Sequence, residues 1–430
     1  MNASYDVLVL GAGAAGLVAA AEAAGAGRRT LLVEKNRRPG IKILMSGGTR
    51  CNLTQATDKW GIVRAYGDQG NFLHSALAAL SPADLVTLIE EEGVPTKVEE
   101  TGKIFPVSNR ATDVLAALVR RLERTGAELA LDEAVTRIER HERGGFLVVT
   151  AKRELPAERV IITVGGKSYP GSGTTGDGYA WAAALGHTIV PPRPALVPLT
   201  TNDAWVHALS GVTVPDVSLT LQRAAEAPAG GLPSPCRRAE LWLDQRRGSL
   251  LFTHFGLSGP VVLDISRAYT ALVPGTPAAL VCDFLPETPG ERLDEDLRQA
   301  AASDGKRQVA GILAERLPRR LIETLFARSG LDAGLRGAEL SKAARAAIVR
   351  SLKATPIAIT GTRGFAKAEV TAGGVALSEV DSRTMESKLV PGLYFAGEIL
   401  DLDGPIGGYN FQAAFSTGVL AGRSAYQPEA

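Results

Sequence analysis

Three glycines, Gly11, Gly13 and Gly16, sit in the run GAGAAG (11–16), directly after the apolar stretch YDVLVL (5–10). An Ala-rich stretch, Leu17–Ala24, follows, then a second apolar run, TLLV (30–33), which ends at Glu34. Each residue type has a task if this is a strand–turn–helix–strand unit around a dinucleotide. Gly11 permits the tight turn out of the strand. Gly13, without a side chain, lets a pyrophosphate approach the backbone, and Gly16 lets helix and strand pack closely. The N–H groups of Ala14 and Ala15, at the helix start, carry partial positive charge and face the phosphates. Glu34 lies 18 residues beyond Gly16, where a carboxylate accepts hydrogen bonds from a ribose diol. The glycine fingerprint alone is weak evidence; in this order, with the acid at its end, it is strong.

The C-terminal region repeats the arrangement. LYFA (393–396) reads as a buried strand, Gly397 and Glu398 follow, and the loop DGPIGGYN (403–410) leads into the helix-like FQAAFSTGVLAGRSA. An amide-rich helix start suits the negative charge of a reduced flavin at N1/O2, and Glu398 suits ribityl hydroxyls. An ordinary strand–loop–helix connection would look the same.

The chain that must position these groups has 430 residues, enough for two or three domains. Its 47 Lys and Arg balance 46 Asp and Glu, which argues against a chain coated by nucleic acid but leaves a local basic patch open. Cys51, Cys236 and Cys282 have no CxxC spacing. A disulfide scaffold and a metal site are therefore not expected, and a reducing cytoplasm is the default location. Residues 7–27 are about as long as a membrane span, but Asp6, Glu22 and five glycines speak against one, and no membrane partner is expected.

Between the two glycine-rich ends, Arg37–Thr54 reads as a loop. Ser81–Gly93, Asn109–Thr125 and Asp177–Gly186 show helical spacing, and a β-meander runs through Val135–Arg140, Phe146–Ala151 and Arg159–Val164. Four prolines in PPRPALVP (191–198) predict a domain crossing rather than a helix or central strand. Residues 199–285 alternate like a small sheet or barrel, with Ala227–Pro235 as a hairpin tip. Residues 290–352 turn helical and carry twelve Lys or Arg against nine Asp or Glu. After Pro356 the pattern is β-like again.

Together, KILMSGGTRCNLT (42–54), GNFLHSAL (70–77), GKIFPVSNRATDV (102–114), TVGGKSYPGSGTTGDGY (163–179), THFGLSGPVVLDIS (253–266), TAGGV (371–375) and GEILDLDGPIGGYNFQAAFSTG (397–418) are far more specific than the fingerprint. With them the chain resembles, over nearly its full length, the bacterial FAD-binding oxidoreductases of the aminoacetone-oxidase-like or bile-acid-dehydroxylation type. The resemblance implies an α/β fold: a Rossmann-like FAD-binding domain of glutathione-reductase type, with an inserted β-barrel-like domain and a small helical domain. The corresponding boundaries are 1–191 and 372–430 for the FAD domain, 192–289 and 356–371 for the barrel, and 290–355 for the helical insert. It places the pyrophosphate at Gly11–Gly16 and the adenosine ribose at Glu34. It implies further FAD contacts at Lys35, Lys42, Gly47, Gly48, Arg50, Cys51 and Asn52, with Val135 meeting adenine through its backbone. Gly165, Gly397, Glu398, Asp401, Gly408, Tyr409 and Asn410 would line the pyrophosphate, ribityl and isoalloxazine parts. One departure is Thr49, where many relatives carry a third glycine.

Several tempting residues have plainer readings. A second GxGxxG (171–176) follows Pro170 and lacks a second strand–helix–strand unit, so one dinucleotide, FAD, is expected. NADH or NADPH would then visit without a Rossmann domain of its own. Arg50 beside Cys51 raises the question of a stabilised thiolate, but no resolving cysteine lies near in sequence. Tyr169 and His254 are candidates for a substrate pocket, with packing as the bland alternative. No general base is identifiable. The arginine pairs 237–238, 246–247 and 319–320 suggest a basic face.

The function expected is an FAD-dependent oxidoreductase acting on a small molecule by hydride transfer at flavin N5, with NAD(P)H as reductant or oxygen as acceptor. The alternatives are an RNA-modifying flavoenzyme that reduces uridine to dihydrouridine, and a non-catalytic flavin-binding sensor.

Overall fold

A strand that is apolar at every position is stable only where both faces are covered. Val7, Leu8, Val9 and Leu10 meet that condition with no solvent exposure, as does Leu32 on the neighbouring strand. In the computed structural model, which describes residues 4–141, 144–223 and 242–425, the chain divides into two units. One is Met1–Pro194 with Glu369–Ala430, and the other is Ala195–Ala368.

The first unit is built on a sheet whose parallel part runs Glu128–Ala130, Thr30–Val33, Tyr5–Leu10, Glu154–Ile162 and Leu393–Phe395. The nine-residue strand Glu154–Ile162 changes partner along its length. Its first half pairs antiparallel with Phe146–Thr150, which in turn pairs with Val135–Arg140; its second half pairs with Leu393–Phe395. Val9 lies opposite both Leu32 and Ile161, so Gly11 and Glu34 leave the sheet at the same end. The former membrane-length segment is thus a six-residue strand and the helix Ala14–Gly25.

That helix is packed by the C-terminal helix, Tyr409–Ser424. Added Cβ atoms at Gly418 and Gly422 would overlap the carbonyl oxygens of Ala15 and Ala19, so the two backbones touch where side chains would stand. The two ends of the chain therefore form one core.

Two expectations require correction. Arg37–Thr54 is not simply a loop: Ile41–Thr49 is helical as far as Met45, and Ser46, Gly47, Gly48 and Thr49 leave helical geometry. The proline-rich segment does form a strand, Ile189–Ala195, paired with Val370–Val375. Among the described residues Ile189–Ala195 pairs with no strand but Val370–Val375, so N–H groups missing on its other side are tolerated. The unit boundary falls at its end, between Pro194 and Ala195.

His187 lies in this unit's core, its Nε2 2.8 Å from Ser387 Oγ and its ring edge-on to Phe395. Burial holds its pKa below the ordinary imidazole value. The unfolded chain therefore binds a proton at a higher pH than the folded one. Stability from this site is present above the ordinary histidine pKa of about 6.5 and is lost as pH falls below it. His187→Gln, which keeps a polar partner for Ser387, is expected to flatten the decline of the denaturation midpoint between about pH 6.5 and 5.

The second unit is a seven-stranded antiparallel sheet. Its order is Thr355–Ile359, Ala278–Asp283, Thr213–Arg223, Trp242–Thr253, Gly256–Ser258, Leu199–Thr200, Gly361–Thr362. The two strands at opposite ends of this order are separated in sequence by Thr360 alone, so the sheet must curl until its edges meet. Leu219, Leu221, Phe252, Leu280 and Ile357 fill its interior. Between its strands the chain forms the helices Gly290–Ser303, Val309–Leu313, Arg319–Arg328 and Lys342–Lys353, which share that core through Leu297, Phe326 and Ile348. The hairpin tip Ala227–Pro235, Cys236 and the pair Arg237–Arg238 lie outside the described residues.

Candidate functional site

Gly11 leaves its strand with φ +98°, and its N–H donates to Val33 O (2.8 Å). A Cβ there would stand 2.9 Å from Val164 Cα, so conformation and space both demand glycine. At Gly16 a Cβ would overlap Gly11 O and stand 2.6 Å from Thr163 Oγ1. Gly13 differs: a Cβ would meet nothing within 4 Å, and its φ of −83° suits any residue. The space before Gly13 is open. No side chain caps the helix Ala14–Gly25, and its first turn holds no acid. This is an uncapped cluster of N–H donors facing empty space, the form an anion site takes.

Glu34 closes that loop from the next strand. Its Oε2 accepts from Ala12 N–H (2.8 Å), and its Oε1 accepts from the backbone N–H and the side-chain amide of Asn36 (2.9 and 2.8 Å). A carboxylate has about four acceptor positions, so roughly one is left for a hydroxyl. Val135 opens its strand opposite Thr150, two residues after Glu133, whose N–H donates to Glu34 O (2.9 Å).

A second cluster joins residues far apart in sequence. Lys42 Nζ donates to Ser168 Oγ (2.7 Å) and forms an ion pair with Glu398. Glu398 also accepts from Ser168 Oγ (2.6 Å) and from Thr371 N–H (2.9 Å). Thr371 Oγ1 accepts from the N–H groups of Lys167 and Ser168 (2.8 and 3.0 Å), just beyond Gly165. The first cluster meets this one at Gly397, where a Cβ would stand 3.0 Å from Ala15 Cβ.

The loop 403–410 is pinned by Asn410, which accepts from Gly404 N–H (2.8 Å) and donates to Gly404 O (3.0 Å). Tyr66 Oη donates to Tyr409 O (3.1 Å), and Gln69 donates to Asp401 O (2.8 Å). The helix that starts at Tyr409 also lacks a side-chain cap and an acid in its first turn. Burial and the neighbouring Asp403 raise the pKa of Asp401, against the pull of Gly373 N–H and Arg193.

The turn 46–52 is strained. Gly47, Gly48 and Thr49 are all left-handed, and Cys51 again has φ +63°. Thr49, at φ +69°, occupies a conformation that costs a non-glycine residue roughly 1–2 kcal/mol. Asn52 Oδ1 and Thr54 Oγ1 are buried without a hydrogen-bond partner. Burial pushes the Cys51 thiol up to about 12, against a lowering contact with Ser46, so Arg50 does not hold a thiolate there. Arg50 instead pairs with Glu99 (2.6 Å) and lies over Phe105.

Other predicted residues stand apart. Lys35 is bound to Asp177 (2.6 Å) and Thr175 (2.7 Å), which ties the second glycine motif to the end of the Glu34 strand. Tyr169 is half-buried in a left-handed turn (φ +54°). His254 belongs to the second unit, exposed at the turn between Trp242–Thr253 and Gly256–Ser258, edge-on to Phe255. Ser168, Thr371, Tyr66 and Gln69 escaped sequence reasoning. Ser168 and Thr371 lie inside quoted motifs, but nothing in the sequence joins them to Glu398.

The fold and this groove define a Rossmann-type FAD-binding domain carrying an inserted antiparallel unit. The chain belongs to the HI0933-like family, whose Rossmann-domain model matches residues 5–424. It is 35% identical to a ribosomal RNA dihydrouridine synthase of Escherichia coli, over 96% of each chain. It is 33% identical to a protein of the same name from Haemophilus influenzae, over 97% of each. It is 32% identical to a 3-dehydro-bile acid delta(4,6)-reductase of Clostridium scindens, over 97% of this chain and 98% of that one.

Proposed function

We propose that this protein is an FAD-dependent oxidoreductase that reduces a carbon–carbon double bond conjugated to a carbonyl, using NADH or NADPH as donor. The observation that carries the cofactor assignment is the open, uncapped loop at Gly13, flanked by Glu34 and by the Lys42–Glu398 cluster. These residues fit a dinucleotide. Gly11–Gly16 would hold the pyrophosphate and the remaining acceptor position of Glu34 a ribose hydroxyl. Glu398, with three of about four acceptor positions used, has room for one more. The uncapped start of Tyr409–Ser424 would stabilise negative charge on the cofactor's far end. When bound, FAD supplies hydride transfer; the protein orients the substrate and the charge.

The substrate class follows from what the named relatives have in common. Forming dihydrouridine saturates a ring double bond conjugated to a carbonyl, and a delta(4,6)-reductase of a 3-dehydro bile acid does the same to a dienone. A small substrate is favoured over RNA because arginines of the expected basic face are neutralised. Arg246 pairs with Asp244, Arg247 with Asp216 and Glu287, and Arg319 with Glu323.

The test is anaerobic reduction of the purified flavoprotein by NADH or NADPH, followed by mixing with steroid-type enones, uridine, uridine-containing RNA, or oxygen. The expected result is rapid reoxidation by a conjugated enone. Reoxidation by oxygen alone would rule the reading out, and reoxidation by RNA alone would move the substrate class to RNA.

A further inference from the structure

Ser168 lies in the loop TVGGKS (163–168) that follows the strand Glu154–Ile162, and it has no solvent exposure. The loop is held by its backbone. Thr371 Oγ1 accepts from the N–H groups of Lys167 and Ser168 (2.8 and 3.0 Å). A Cβ at Gly166 would stand 2.4 Å from that oxygen, so glycine there lets the loop approach. The Ser168 side chain takes no part in this. Its hydroxyl accepts from Lys42 Nζ (2.7 Å) and donates to Glu398 Oε1 (2.6 Å), and among the described residues it bonds nothing else. The direction of both bonds follows from chemistry, since an ammonium only donates and a carboxylate only accepts.

Lys42 also pairs directly with Glu398 Oε2, which closes a triangle. The triangle leaves one position open on each charge. The ammonium has three N–H groups and uses two. Its nitrogen is tetrahedral, so once the stem and two N–H groups are fixed, the third has a single direction. Glu398 takes Ser168 and Thr371 on Oε1 and Lys42 on Oε2, which fixes the carboxylate plane and leaves an acceptor position on Oε2. The side chains of Lys42 and Glu398 are 28% and 17% exposed, so they reach open space where Ser168 does not. A lysine on a flexible four-carbon stem, held by Glu398 alone, would turn about that one contact.

We infer that Ser168 is a positioning residue: it acts through Lys42 and Glu398, aiming one N–H donor and one adjacent carboxylate acceptor at the bound cofactor. A donor beside an acceptor suits a hydroxyl, which accepts and donates at one oxygen. The inference rests on the FAD assignment above. In Ser168→Ala the loop keeps its backbone bonds to Thr371, so the variant is expected to fold. Lys42 then loses its second anchor, and Glu398 Oε1 keeps only the Thr371 N–H.

The experiment removes the hydroxyl in two backgrounds, wild type and Lys42→Met with Glu398→Gln. Release of FAD is followed by the rise of its fluorescence on dilution. In the wild-type background Ser168→Ala is expected to speed release roughly tenfold, the equivalent of one hydrogen bond to a charged group. In the second background nothing remains to aim, and the same change is expected to alter release by less than about twofold. A second readout needs no cofactor: acylation of lysine amines in the apoprotein, followed residue by residue by mass spectrometry. Lys42 is expected to react several-fold faster in Ser168→Ala than in wild type. Lys35, held by Asp177 and Thr175, is expected to react at the same rate in both. Ser168→Cys, whose thiol is a weak donor, should fall between wild type and the alanine variant in both measurements, and it carries the test if the alanine variant does not fold.

Equal acceleration of FAD release in the two backgrounds overturns the role of Ser168 and leaves the FAD assignment standing. So does unchanged reactivity of Lys42 in a folded variant. If the wild-type protein takes up no FAD, the assignment fails, and this inference with it.

Discussion

Gly13→Val is expected to give a folded protein that no longer retains FAD. The reason is the contrast among three glycines in one loop. At Gly11 and Gly16 a side chain would collide with the protein itself, so substitution there confounds folding with binding. At Gly13 the backbone is ordinary for a non-glycine residue and nothing lies within 4 Å of a new Cβ. Valine there fills only the space before the helix start. The pyrophosphate would be pushed away from N–H groups it must reach within hydrogen-bond distance. A loss of FAD affinity of at least about a hundredfold, near 2.7 kcal/mol, is expected. The denaturation midpoint of the apoprotein should stay close to that of wild-type apoprotein. Equal flavin content in the two proteins would contradict the phosphate-loop assignment.

Gly418→Val is expected to act through the fold instead. Gly418 and Gly422 face Ala15 and Ala19 one turn apart, and at each the helices leave no room for a Cβ. At Gly418 the obstruction is backbone, with Ala15 Cα 2.9 Å from the added atom, so no rotamer relieves it. The helices would have to separate, and Val419 and Phe415, both fully buried, would lose their packing. Overpacking of this kind costs about 3 kcal/mol. A lower midpoint in denaturant, with a parallel loss of flavin, is the expected outcome. Unchanged stability would mean that the two chain ends do not meet as described.

Legibility in the sequence followed locality. The phosphate loop could be read because strand, turn, helix and acid lie within thirty residues and each has one geometric duty. The C-terminal strand and helix were readable for the same reason. The ties across the groove were not. Lys42 and Glu398 are 356 positions apart, and Ser168 and Thr371 join them only once the sheet has formed. Prolines at 191, 192 and 194 obscured a strand because their cost depends on whether a partner needs the missing N–H groups. The two glycines at 47–48 obscured the helical turn before them. Cys51 and Arg50 looked coupled by adjacency, but Cys51 is buried and Arg50 turns to Glu99.

The central claim is that both chain ends build one groove for one dinucleotide. The most direct measurement is the cofactor released by denaturing the purified wild-type protein, identified by mass and quantified by absorbance. FAD, close to one per chain, is the expected result. A colourless protein that takes up no FAD on incubation would contradict it.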